Sequence, residues 1–175
     1  HKLKFILSDT SFIQNKNGKD LTGYNKFYGR KKGTKISLIT DINGIPINIK
    51  LYKGNQNDGK ILVDHLKCEY LIDDNILNSN KKYLLADKGY DLSEVRRALN
   101  ESNYVPIISQ NRRNIKDTSK LIQLTDTEKK YYKKRIKVEN MYCSLKSYKR
   151  LNIRYDVYSS NYLGFIYLAL INILC

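Results

Sequence analysis

Along this chain short apolar runs alternate with polar stretches punctuated by glycine and asparagine, and the period of each run predicts its element. Lys4–Phe12 gathers β-branched and aromatic residues around Asp9 and predicts a strand with that acid at its end. The polar, basic stretch Asn15–Gly33 predicts a loop. Lys35–Thr40 and Ile45–Tyr52 are joined by Asp41-Ile42-Asn43-Gly44, and Asn-Gly between apolar runs signals a hairpin. Asp58 is expected to cap a helix over Gly59–Tyr70, with Ile61, Leu62, His65 and Leu66 on one face. Lys82–Ala86 reads as a short buried strand ending at Asp87, Leu92–Asn100 as a helix for which Ser93 is the candidate N-cap, and Val105–Ile108 as a further strand. Thr125–Ser147 predicts one long helix opening on a capping-box-like Thr-Asp-Thr-Glu, and Ser160–Leu174 a last apolar helix. A hairpin followed by strand–helix alternation predicts a three-layer α/β fold with a mixed central sheet and helices on both faces.

Charge sharpens the picture. The 175 residues hold 32 Lys+Arg against 17 Asp+Glu, a net charge of +15, which favours a polyanionic partner such as nucleic acid, or an anionic membrane surface. From Arg112 to Arg154 fourteen basic residues stand against four acidic ones, so +10 of the excess lies there. Cys68, Cys143 and Cys175 are odd in number and far apart, and with His1 and His65 they give no zinc-ligand spacing. A reducing intracellular compartment with access to DNA is therefore expected. The apolar run Leu163–Cys175 is too short to span a bilayer and predicts a core helix, so no membrane partner is expected. The chain starts at His1 rather than Met, and a segment upstream is expected to be missing.

Candidate chemistry concentrates in the long predicted helix. Tyr132, Arg135, Glu139 and Lys146 are separated by offsets of three, four and seven, which share one face at a 3.6-residue period. A carboxylate there can hold a divalent metal, and the cations can hold phosphates. The same offsets also suit an exposed helix with ordinary ion pairs. Asp9 and Asp87 close apolar runs, each readable alone as an Asx turn. If their strands are neighbours, the two acids converge at a sheet edge where α/β sheets place ligands, and Glu139 over that edge makes a three-carboxylate site. Three carboxylates together call for a metal, and oxygen-only ligands suit Mg²⁺ or Mn²⁺.

These residues carry a family resemblance. Ser8-Asp9-Thr10-Ser11 looks like the first-aspartate motif of DDE transposases of bacterial insertion sequences, with Asp-Thr-Ser in place of Asp-Ser-Thr. Arg30–Lys35 with Thr40–Pro46 resembles the family's basic turn and strand pair, Gly54–Asp58 its glycine-asparagine segment, and Ala86–Asp91 its second-aspartate motif. Tyr132, Arg135, Glu139 and Lys146 fit its Tyr-Arg-Glu-Lys signature, and Arg150, Arg154, Tyr155, Asp156 and Tyr162 continue it. The resemblance implies a ribonuclease-H-like fold and a transposase that cuts and joins DNA. It implies Asp9, Asp87 and Glu139 as catalytic residues and as ligands of two Mg²⁺ or Mn²⁺ ions. It further implies Tyr132, Arg135, Lys146, Lys149 and Arg150 as DNA contacts. Double-stranded DNA, as transposon ends and target, is the implied partner, with a homodimer in the complex. Residues 1–175 are expected to form a single catalytic domain without the N-terminal DNA-binding region usual in the family. The alternatives are a nuclease of the same fold and a non-catalytic DNA-binding remnant.

Overall fold

The computed structural model describes residues 4–67, 82–112 and 123–175. In chain order the elements are β1 (Phe5–Asn15), β2 (Gly23–Asn25), β3 (Lys31–Asp41), β4 (Pro46–Lys53), α1 (Asp58–Leu66), β5 (Lys82–Ala86), α2 (Ser93–Glu101) and β6 (Tyr104–Ile108). They continue with α3 (Asp126–Tyr132), α4 (Ile136–Ser147), α5 (Lys149–Asn152), β7 (Ile153–Arg154) and α6 (Ser159–Leu174). Among the described residues the strands form one seven-stranded mixed sheet. β1, β3 and β4 make an antiparallel meander, and β5 and β6 follow in parallel on the other side of β1. That is the ribonuclease-H-like arrangement, with helices covering both faces.

Strand periodicity sorts the core into those faces. Leu7, Ile13, Leu38, Leu85 and Ile107 pack with Val138, Met141 and Leu145 of α4 and with Tyr162, Ile166 and Leu170 of α6. Their neighbours Ile6, Ile39, Leu84 and Ile108 point the other way, onto Leu62 and Leu66 of α1 and Val95 and Leu99 of α2. The β3–β4 hairpin closes as the Asn-Gly signal requires. Gly44 takes φ +93, and the Asp41 carboxylate accepts from the Asn43 and Ile45 amides at 2.9 and 2.8 Å. No helix among the described residues is long and apolar enough to cross a membrane.

Four local expectations change. β1 does not end near Asp9 but runs on to Asn15, because β3 keeps pairing with it as far as Gln14. The stretch expected as a loop contains β2 and the start of β3, paired from Gly23 to Asn25. Two caps move: Asn57, not Asp58, caps α1, its side chain accepting from Gly59 and Lys60, and Ser93 is the first residue of α2, whose cap position falls on Leu92 without a side-chain bond. The expected long helix is two helices, α3 and α4, joined by a 3₁₀ turn at Lys133–Arg135 whose backbone angles stay helical. The end of the expected helix over Gly59–Tyr70, Cys68, and the basic residues Arg113, Lys116 and Lys120 lie outside the described residues.

Candidate active site

Three elements bring carboxylates to one place. β1 and β5 run side by side in parallel, with Leu7 opposite Leu85 as the last pair. Asp9 and Asp87 each lie two residues further on, so the strands deliver both acids at the same level of the sheet. Side-chain alternation puts Asp9 on the Leu7 face, beneath α4. Tyr142 of α4 fixes that crossing: its hydroxyl lies 2.8 Å from the Asp9 carbonyl oxygen and 2.9 Å from that of Ile36. Glu139 sits one helical turn earlier on the same helix.

Arg135 stands among these acids. Its guanidinium is 2.9 Å from Glu139 and 3.9 Å from Asp87, with the arginine side chain only 19% exposed. The 3₁₀ turn eclipses residues three apart, so Arg135 also lies over the Tyr132 ring, 5.6 Å from its centre. Burial pushes the Tyr132 hydroxyl pKa up, while the Arg135 charge pulls it back. Asp87 accepts from the Lys88 amide at 2.7 Å, starting a short 3₁₀ turn, while its carboxylate also lies 3.9 Å from Arg135.

Asp9 is the perturbed group. Burial raises its pKa to about 6, helped by the charges of Glu139 and Asp87 and opposed by the Thr10 amide and Arg135. Perturbation of this kind, in a group shared by three anions, marks functional sites more often than structural ones. Among the described residues no three His, Cys, Asp or Glu side chains are drawn tightly enough together to hold a metal ion. Arg135 supplies the compensating charge in this arrangement.

The sequence-predicted DNA contacts divide. Tyr132 and Arg135 belong to the carboxylate cluster. Lys146 is half-buried on α4, and Lys149 is exposed. Arg150 is held by Asp156 at 2.7 Å and lies over Phe165, 4.3 Å from its ring centre, on the outer side of α5. Lys129, Lys130, Lys133, Lys134 and Lys137 are exposed along α3 and the start of α4.

Sequence reasoning missed a polar network behind Asp9. Thr10 donates to Asp58 at 2.6 Å, Lys35 donates to the same carboxylate oxygen at 2.7 Å, and the Tyr90 hydroxyl donates to Thr10 at 3.2 Å. Lys35 is buried, which explains why Asp58 serves it rather than capping α1. The signal available was a lysine set directly against the apolar and hydroxyl run Ile36–Thr40 of β3.

The profile of the Transposase DDE domain matches residues 3–174. The chain belongs to this family. No curated protein matches the sequence. Among solved structures, the DDE domain is similar to the catalytic domain of Mos1 mariner transposase at 14% identity and a TM-score of 0.45, over 81% of this chain and 80% of that one. It is similar to the piggyBac transposase of a synaptic complex with hairpin DNA at 18% identity and a TM-score of 0.43, over 64% of this chain. A Mos1 paired-end complex with Mn matches at 13% identity and a TM-score of 0.40, over 81% of this chain. The DDE domain covers 24% of the piggyBac chain and 54% of the Mos1 chain in that paired-end complex.

Proposed function

We propose that this DDE domain is the catalytic part of a transposase that cuts DNA at the ends of a mobile element and joins the freed strand to a target. Asp9, Asp87 and Glu139 are the catalytic residues. The observation that carries the reading is the meeting of Asp87 and Glu139 on the Arg135 guanidinium, with Asp9 of β1 at the same level of the sheet and held near pKa 6 by burial among these like charges. Family membership and the basic surface of α3 and α4 support it.

The donor set fits a hard divalent cation. All three groups are carboxylates, and Asp9 lacks the counter-charge that would return its pKa to the ordinary range. Asp9, Asp87 and Glu139 would hold Mg²⁺ or Mn²⁺ once Arg135 turns away from Glu139, and two ions suit the chemistry. When bound, such ions activate the attacking oxygen and neutralise the leaving one. The chain's own residues do the rest. Arg135, released from Glu139, is placed to grip a phosphate beside the scissile bond. Tyr132 stacks under that guanidinium and limits its swing. Lys146, Lys149 and Arg150, with the exposed lysines of α3, hold the DNA backbone in register without reading sequence.

The test is a reaction of the full-length protein with DNA carrying the element's ends, in Mg²⁺ or Mn²⁺. The reading expects cleaved ends followed by joined strand-transfer products. Cleavage without joining would make the protein a nuclease of this fold. DNA binding without cleavage would make it a non-catalytic remnant. Affinity should also fall steeply with log salt as phosphates are neutralised and counterions released.

A further inference from the structure

A second cleft lies along β3 from the carboxylate cluster and belongs to neither the metal ligands nor the α3–α4 basic surface. Its volume is about 380 Å³, and Tyr24, Lys26, Phe27, Lys35, Gln56 and Asp58 line it. Its wall comes from β2 and the turn after it, and its floor from the loop before α1.

Two features of that wall need an explanation. Phe27 is 97% exposed and Tyr24 68%, a costly display of rings on a surface that is otherwise polar. The turn carrying them is rigid rather than loose: Asn25 caps it by accepting from the Phe27 amide and anchors it by donating to the Gly54 carbonyl oxygen at 2.8 Å, while Tyr28 stacks on Phe12 with ring centres 4.5 Å apart. The charge is one-sided as well. Lys26 and Lys35 line the cleft, Lys35 paired there with Asp58, and Arg30, Lys31 and Lys32 follow on the same acid-free stretch of chain. Flat, exposed rings set among cations and held on a fixed turn form the combination that binds unpaired nucleotides: bases stack on the rings while the cations follow the phosphates.

The cleft is also wired to the cluster. Lys35 on its floor shares Asp58 with Thr10, and the Thr10 amide donates to Asp9 at 2.9 Å. An occupant that moves Lys35 or Asp58 therefore acts on the residue next to Asp9.

We propose that this cleft receives unpaired nucleotides of the DNA strand beside the cleavage point, stacking a base on Phe27 and Tyr24 with its phosphates on Lys26 and the lysines that follow. The inference rests on the reading of the chain as a DNA-cutting domain. The ring-bearing wall stands at Lys32 of β3, about 20 Å along the strand from Leu38, the partner of Asp9, a span that a few extended nucleotides cover.

Binding of the full-length protein to two probes tests it, in chelator so that no strand is cut. One probe is a blunt duplex; the other is the same duplex with an oligothymidylate overhang carrying 2-aminopurine. Wild type should prefer the overhang and change the 2-aminopurine fluorescence as the base stacks. Tyr24→Ala with Phe27→Ala should lose roughly five- to hundredfold of overhang affinity and the fluorescence change, with blunt-duplex affinity kept. Phe27→Trp should retain both, because any flat ring serves. Equal wild-type affinity for the two probes, or a double variant that still prefers the overhang, would overturn the proposal. Cleavage by wild type in Mg²⁺, measured separately, tells loss of this inference from loss of the DNA-cutting reading.

Discussion

Asp9 on β1 and Asp87, just past the end of the adjacent parallel β5, each lie two residues beyond the Leu7–Leu85 pair. Sheet register alone therefore sets two like charges side by side, and α4 adds the third through Glu139. Folding places these anions together against their own repulsion, with Arg135 as the cation between Asp87 and Glu139.

That strain predicts a trade of stability for function at Asp9. Its pKa rises from 3.8 to about 6, chiefly through burial, so ionising it costs more in the folded chain than in the unfolded one. Its stabilising contribution is present in full below about pH 3.8 and is lost as pH rises through about 6. Asp9→Asn should accordingly stabilise the protein at neutral pH, by about 1–3 kcal/mol, while abolishing cleavage. Urea unfolding at pH 7 checks the first outcome, and an unchanged or lower midpoint would remove the strain from the account.

Arg135 predicts a competition. While it neutralises Glu139 and nears Asp87, it stands where a divalent cation would need those oxygens. Arg135→Gln should bind Mn²⁺ more tightly than wild type yet hold DNA more weakly, because a phosphate grip is lost. Titration calorimetry with Mn²⁺ alone, beside binding to DNA in chelator, separates the two effects. Weaker Mn²⁺ binding by the variant would show that Arg135 organises the carboxylates rather than competing for them.

A second pH effect runs with the opposite sign. His65 is fully buried, with Ser37 at 2.8 Å from Nδ1 and Asn48 at 2.9 Å from Nε2. Burial lowers its pKa from 6.5 to about 4, helped by Lys50 and opposed by Asp64. The unfolded chain binds the proton first, so this stabilising contribution is full above pH 6.5 and is lost as pH falls towards 4. Asp9 pulls the other way over an overlapping window, so only differences between variant and wild type isolate each group. His65→Gln should flatten the fall between pH 6.5 and 4 in unfolding experiments; an unchanged slope would assign it elsewhere.

Arg154 predicts the largest loss of stability. It is completely buried and donates to the Thr34 hydroxyl at 3.0 Å, the Asp20 carbonyl oxygen at 2.9 Å, the Asp156 and Val157 carbonyl oxygens at 3.1 Å, and the Asp20 carboxylate. Arg154→Met removes all five of these bonds and the cation that faces Asp20, and should cost about 3–5 kcal/mol. Asp20→Asn should cost less, since the Asp20 side chain is 43% exposed. Comparison of the two midpoints in urea checks the order.

What the sequence made legible follows from locality. Apolar runs and the Asn-Gly turn specify β3, β4, β5 and β6 within a residue or two at most ends, because strand period and turn chemistry act over a few residues. The capping box at Thr125 and Glu128 is present as expected. Asp9, Asp87 and Glu139 could be nominated because acids ending apolar runs, or lying on a helix face beside an arginine, are visible in one dimension. The extension of β1 to Asn15 was not visible: it depends on β3 being its partner. The role of Asp58 was hidden for the same reason, since Lys35 and Thr10 reach it only in the folded chain. Arg150 divides the same way: its place in the basic segment was visible in the sequence, and its ion pair with Asp156 was not.

The most direct measurement of the central claim is strand cleavage by Glu139→Gln in the full-length protein, on DNA carrying the element's ends in Mg²⁺, run beside DNA binding. The substitution keeps the shape of the side chain and removes one negative charge. The account predicts normal DNA binding with cleavage abolished. Cleavage at the wild-type rate would take Glu139 out of the active site and contradict the three-carboxylate reading.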